Sequence, residues 1–167
     1  MLRLVKYCMS LRNILKLVVS VIVCLAAGAI GSIFTRNAIP TWYTTLVKPS
    51  FTPPNWLFAP VWTLLYILMG IAAFLIWRKG LVNRQVRMAL IAFLVQLVLN
   101  TFWSIVFFGF HNPLMGLVVI SFLWVAILTT AVLFYRVSRV ASMLLWPYLL
   151  WVSFASVLNG SIWLLNR

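Results

Sequence analysis

Apolar side chains fall into five blocks along this chain, separated by short stretches that are basic or proline-rich. The first block runs from Leu17 to Phe34, behind Arg3, Lys6, Arg12 and Lys16. The second spans Leu57 to Trp77 and is closed by Arg78-Lys79-Gly80. A third opens near Val86 and reaches Phe108, and His111-Asn112-Pro113 turns the chain into a fourth, Leu114 to Tyr135. Arg136 and Arg139 mark a short loop before the fifth, Ala141 to Leu165. A hydrocarbon layer about 30 Å thick needs about 20 helical residues to cross it. The pattern therefore predicts one all-α membrane domain over residues 1–167, a five-transmembrane-helix bundle with helices at about 14–34, 57–77, 86–108, 114–135 and 141–165.

The segment from Thr35 to Asn55 breaks the pattern. Pro40, Pro49, Pro53 and Pro54 interrupt any helix, and Trp42, Tyr43, Phe51 and Trp56 are interleaved with them. A long loop this aromatic is expected to fold onto the membrane face as a lid capping the bundle. The basic start followed by an apolar run also has the outline of a signal peptide, with Ala27-Gly28-Ala29 as a cleavage motif. Eighteen apolar or small residues exceed the usual length of such a region, so an uncleaved helix is expected.

Composition agrees with lipid as the solvent: 65% of the 167 residues are hydrophobic and 8% charged, too few to clothe a water-soluble domain. The charge is one-sided, with 13 Lys and Arg and no Asp or Glu. The basic residues occupy the gaps between apolar blocks, so they read as loop charges rather than a nucleic-acid footprint. Ten lie in the N-terminal segment and the second and fourth loops, three in the first loop and at the C-terminus. That asymmetry places the N-terminus in the cytoplasm and the C-terminus outside, for a plasma-type membrane. The missing carboxylates exclude paired-acid hydrolysis, a Ser-His-Asp triad and a carboxylate-ligated metal. One histidine and two cysteines, Cys8 and Cys24, give no zinc set, and both thiols are expected to be free. The expected activity is binding, with no required cofactor.

Three helices carry polar and aromatic residues at helical spacing. Gln96, Asn100 and Ser104 share a face of the third beside Trp103; Trp62, Tyr66 and Gly70 do so on the second; Pro147, Trp151, Ala155 and Asn159 do so on the fifth. From a rise of about 1.5 Å per residue, Trp62 and Ser104 lie roughly 8 Å below the outer helix ends, Asn100 and Ala155 roughly 14 Å, and Trp151 roughly 20 Å. These residues are expected to surround one elongated space. Gln96 and Asn159 read as interhelical hydrogen-bond formers, and Trp77, Trp146 and Trp163 as interfacial anchors. The Gly28, Gly31 and Ser32 cluster suits close helix packing.

The run Lys48-Pro49-Ser50-Phe51-Thr52-Pro53-Pro54-Asn55-Trp56, continuing through Pro60-Val61-Trp62-Thr63-Leu64-Leu65-Tyr66, resembles the signature of the TspO/MBR family, the translocator proteins related to the peripheral-type benzodiazepine receptor. Thr41-Trp42-Tyr43, Asn100-Thr101-Phe102-Trp103-Ser104 and Pro147-Tyr148-Leu149-Leu150-Trp151 extend the likeness over nearly the whole chain. The resemblance implies a homodimer of five-helix bundles with a pocket under the first loop. It implies binding or transport of porphyrins such as protoporphyrin IX and haem, of benzodiazepine-type ligands and, in animal members, of cholesterol. Carried over by motif, the pocket would use Tyr43, Pro53, Phe58, Trp62, Tyr66, Asn100, Trp103, Ser104, Trp151 and Ala155. Two departures stand out: Val119 sits near where the family carries an acid, and Val157 replaces the tyrosine of the cholesterol motif. A sterol-type pattern survives only as Leu133, Tyr135 and Arg139. The resemblance leaves two further readings open: light- and oxygen-dependent porphyrin degradation, and a scaffold that recruits partner proteins.

Overall fold

The computed structural model describes residues 10–167; the basic residues Arg3 and Lys6 and the thiol of Cys8 lie outside the described residues. Seven α-helices follow in order: α1 Leu11–Ala38, α2 Trp42–Thr45, α3 Asn55–Trp77, α4 Arg84–Ser104, α5 Pro113–Val137, α6 Arg139–Met143 and α7 Trp146–Leu165. A π-turn, Ile105–Gly109, extends α4. Five spans among the described residues are long and apolar enough to cross a membrane, the last formed by α6 and α7 together. Such elements satisfy their backbone groups internally, as hydrocarbon demands.

The apolar blocks located the spans, but backbone hydrogen bonding set their ends. The first helix starts before Leu17 and runs past Phe34, because Thr35, Arg36 and Asn37 keep helical geometry until Pro40 approaches. The second begins at Asn55 rather than Leu57, directly after Pro54. Asn83 and Asn112 cap the next two helices, accepting from Gln85 N (2.8 Å) and Met115 N (3.0 Å), and so move their starts to Arg84 and Pro113. The fifth span is broken, contrary to the continuous helix expected over 141–165. Pro147 has no N–H for the Met143 carbonyl and its ring would collide with it, so α6 ends at Met143 and α7 restarts at Trp146. The Thr35–Asn55 segment is likewise not all loop, since α2 forms a single turn within it.

Glycines let α1 pack closely against α3 and α4. A Cβ on Gly70 would sit 2.6 Å from the Val21 Cα, one on Gly28 would meet the Tyr66 ring at 2.3 Å, and one on Gly31 would lie 3.1 Å from the Ser104 Oγ. Gly28 and Gly31 of the small-residue cluster thus serve packing within the chain, whereas Ser32 is exposed. Close approaches join α1 with α3, α4 with α5, and α5 with α7, whereas α3 and α7 stand apart. The half of the bundle nearer Arg78 and Arg136, here the basic end, is filled: Phe93 stacks on Phe134 at 5.8 Å among Met69, Ile76, Leu123 and Ile127, all buried. Toward the other end the helices part.

Candidate functional site

A cavity of about 610 Å³ lies where α3 and α7 separate, with α1, α4 and the π-turn forming its other walls. Trp62 and Phe58 come from α3, Trp103 and Ser104 from α4, Trp151 and Ala155 from α7, and Tyr43 from the roof. The rings brace one another. Trp62 lies 5.7 Å from Tyr66 and 6.2 Å from Tyr148; Phe58 meets Trp151 edge-on at 6.1 Å; Trp103 stacks on Phe107 at 5.5 Å. Such offset and edge-on pairs hold flat walls in place. Ala29, Ser32, Ala59 and Thr63 line the cavity yet are exposed, so its wall opens between α1 and α3.

Proline and aromatic residues make the roof. Tyr43 is buried against Phe108, Trp42 stacks on the His111 imidazole at 4.6 Å, and Phe51 reaches Phe154. Lys48 Nζ donates to the Tyr43 carbonyl at 2.7 Å and lies over its ring. Asn166, just past α7, clamps the roof by two bonds to the Val47 backbone, each 2.9 Å. Burial raises the Tyr43 phenol above its ordinary value, so it stays neutral at physiological pH.

Eight of the ten sequence-derived site residues share this cavity: Tyr43, Phe58, Trp62, Tyr66, Trp103, Ser104, Trp151 and Ala155. Two do not line it. Asn100 is buried beneath the floor, where its Oδ1 accepts from the Tyr66 hydroxyl and its Nδ2 donates to the Tyr148 hydroxyl at 2.9 Å. Helical spacing placed it on the right face, but the two phenols occupy both ends of its amide. Pro53 is half-buried in the roof without reaching the cavity. Asn159 does join helices as expected, accepting from Trp103 Nε1 at 3.2 Å and donating to the Pro113 carbonyl at 2.7 Å, while also lining the cavity. Gln96 departs from expectation: it is buried, and neither end of its amide has a partner among the described residues.

Sequence reasoning missed the α1 wall. Gly28, Ser32 and Arg36 lie four residues apart on the face that borders the cavity, the same signal used for the other helices. Arg36 matters most, because its guanidinium is the only charged group among the lining residues. Phe107 and Phe108 were also missed. The π-turn adds a residue to the helical turn and brings both rings inward, a local change no 3.6-residue count foresees.

The geometry defines a class: an integral membrane protein of five helices holding an aromatic-walled cavity under a clamped roof. No group of three metal-binding side chains occurs among the described residues. The chain belongs to the TspO/MBR family, whose model matches residues 20–164. It is 53% identical over 154 residues to the tryptophan-rich protein TspO of Archaeoglobus fulgidus, covering 92% of this chain and 99% of that one. It is 38% identical over 137 residues to the translocator protein of Homo sapiens, covering 80% of each. Over 142 residues it is 35% identical to the tryptophan-rich sensory protein of Cereibacter sphaeroides, covering 83% of this chain and 87% of that one.

Proposed function

We propose that the cavity binds a planar, mainly apolar tetrapyrrole, protoporphyrin IX before haem, with its carboxylates directed to Arg36. The observation that carries this reading is the combination of mutually braced aromatic walls, a volume of about 610 Å³ and one cation. Ligand sites of about 300–1,000 Å³ with apolar walls and few polar groups bury most of a small molecule. The flat faces of Trp62 and Trp151 suit a ring system, and a guanidinium suits an acid group that this carboxylate-free chain cannot itself provide. The lining holds no His, Cys or Met, so a haem iron would find none of its usual nitrogen or sulfur ligands. The free-base macrocycle needs none. The protein's role on this reading is to bind, carry or sense the tetrapyrrole, with the N-terminus on the cytoplasmic side where most basic residues gather.

Titration of the purified protein with protoporphyrin IX should quench tryptophan fluorescence saturably. The double variant Trp62→Ala/Trp151→Ala should bind at least tenfold more weakly, since each ring contact contributes about 0.5–1.5 kcal/mol beyond burial. An unchanged titration curve would remove the site assignment. A second reading, porphyrin breakdown driven by light and oxygen, is favoured by the three oxidisable indoles of Trp62, Trp103 and Trp151, which line the one cavity from three different helices. Recovery of intact porphyrin after illumination in air would eliminate it.

A further inference from the structure

We infer that the chain has a second binding site, for the headgroup of an anionic phospholipid, in a groove at the basic end between α1 and the α3–α4 loop. The groove is lined by Arg12, Lys16 and Val19 of α1, by Trp77 at the end of α3, and by Leu81 and Val82 of the loop. It is remote from the tetrapyrrole cavity and shares no residue with it. Arg12 and Lys16 are one helical turn apart and point to the same side. Lys16 bends toward Trp77, with its Nζ 3.5 Å from the Trp77 carbonyl and 5.7 Å from the indole centre. One ammonium with three donors still has capacity beyond that carbonyl.

Charge decides what belongs there. The chain carries no Asp or Glu, so neither cation can be neutralised by an acidic side chain of its own or of a second copy. Any anion bound in the groove therefore comes from outside the protein. The rest of the lining distinguishes a lipid from a free phosphate: Leu15, Val19 and Leu81 are exposed and apolar beside the cations, and Val82 is 98% exposed. Gly80, in the left-handed region at φ 95°, turns the chain so that Leu81 and Val82 follow directly after Arg78 and Lys79. A phosphodiester between Arg12 and Lys16 with acyl chains along Val19 and the loop satisfies both halves of the groove, and Trp77 sits at the depth where indoles prefer the interface.

Native mass spectrometry of the full chain released from micelles tests this, with phosphatidylglycerol and phosphatidylcholine of identical acyl chains as probes. Retention of phosphatidylglycerol over phosphatidylcholine is expected, and the preference should fall roughly fivefold for each of Arg12→Gln and Lys16→Gln. Lys16 also supports the end of α3, so Arg12→Gln, which removes no protein hydrogen bond among the described residues, is the cleaner variant. Arg136→Gln/Arg139→Gln, at the same end but outside the groove, should keep the preference. Equal retention of the two lipids would overturn the proposal. So would an equal loss in the Arg136/Arg139 variant, which would reduce the effect to net charge, or displacement of the lipid by millimolar inorganic phosphate.

Discussion

The two halves of this bundle use the same kinds of residue to opposite ends. Near the basic end, Phe93 and Phe134 stack on each other among buried aliphatic side chains such as Ile76, Leu123 and Ile127. Toward the roof, Trp62, Trp103 and Trp151 brace their own neighbours and leave a cavity between α3 and α7. The boundary is the layer where Asn100 joins the Tyr66 and Tyr148 hydroxyls. Below it, small residues such as Ala72, Ala73 and Ala89 are buried and the helices close up; above it, rigid rings hold them apart. The contrast teaches that aromatic content alone does not make a binding site. A site forms where edge-on ring pairs prop facing helices apart, as Phe58 with Trp151 and Trp62 with Tyr148 do between α3 and α7.

That contrast can be broken from the filled side first. Phe134→Ala should cost about 3–5 kcal/mol of stability, because a fully buried ring leaves a void its stacked partner cannot fill. Unfolding in mixed micelles measures it, and a loss matched by Trp62→Ala would mean the two halves are equally packed. Next comes the boundary layer. Asn100→Leu leaves two buried phenols without their shared partner and should cost about 1–2 kcal/mol, near the upper range for hydrogen bonds between membrane helices. Porphyrin affinity should change far less than in the Trp62/Trp151 double variant; an equal fall would move Asn100 into the wall.

The roof predicts smaller effects. Asn166→Ala removes both bonds to Val47 and should cost about 1 kcal/mol, being exposed. Hydrogen exchange at the Val47 amide should accelerate while amides in α4 and α5 stay protected; uniform acceleration would show that the roof and bundle open together. The smallest effect concerns Tyr43. Its folded phenol titrates above the unfolded value near 10, so the neutral form is favoured by folding. That contribution is complete below about pH 10 and is lost as pH rises through the folded value. Stability should therefore be flat from pH 6 to 9 and decline above about 10, and Tyr43→Phe should lack that component of the decline.

Reading the sequence located much of this site but misplaced particular members, each for a physical reason. Trp62 and Tyr66 were legible because the cavity wall of α3 keeps the regular 3.6-residue period. Asn100 was assigned to the wall because its face and its depth both fit, continuing the stripe from Ser104, which lines the cavity; spacing along one helix does not show that the Tyr66 and Tyr148 hydroxyls engage its amide and bury it. Arg36 escaped because it follows the apolar block and was counted as a loop charge, while α1 in fact carries it one turn further as helix.

What the chain's order of residues determined by itself is therefore the solvent, the number of spans, the family and the aromatic roof. Hydropathy, charge asymmetry and proline placement act locally, so they can be read from one residue to the next. The separation of α3 from α7, the π-turn that brings in Phe107 and Phe108, and the phenol pair that takes Asn100 out of the wall were decided only by tertiary structure. Each depends on which helix meets which, and at what distance, and no local period encodes that.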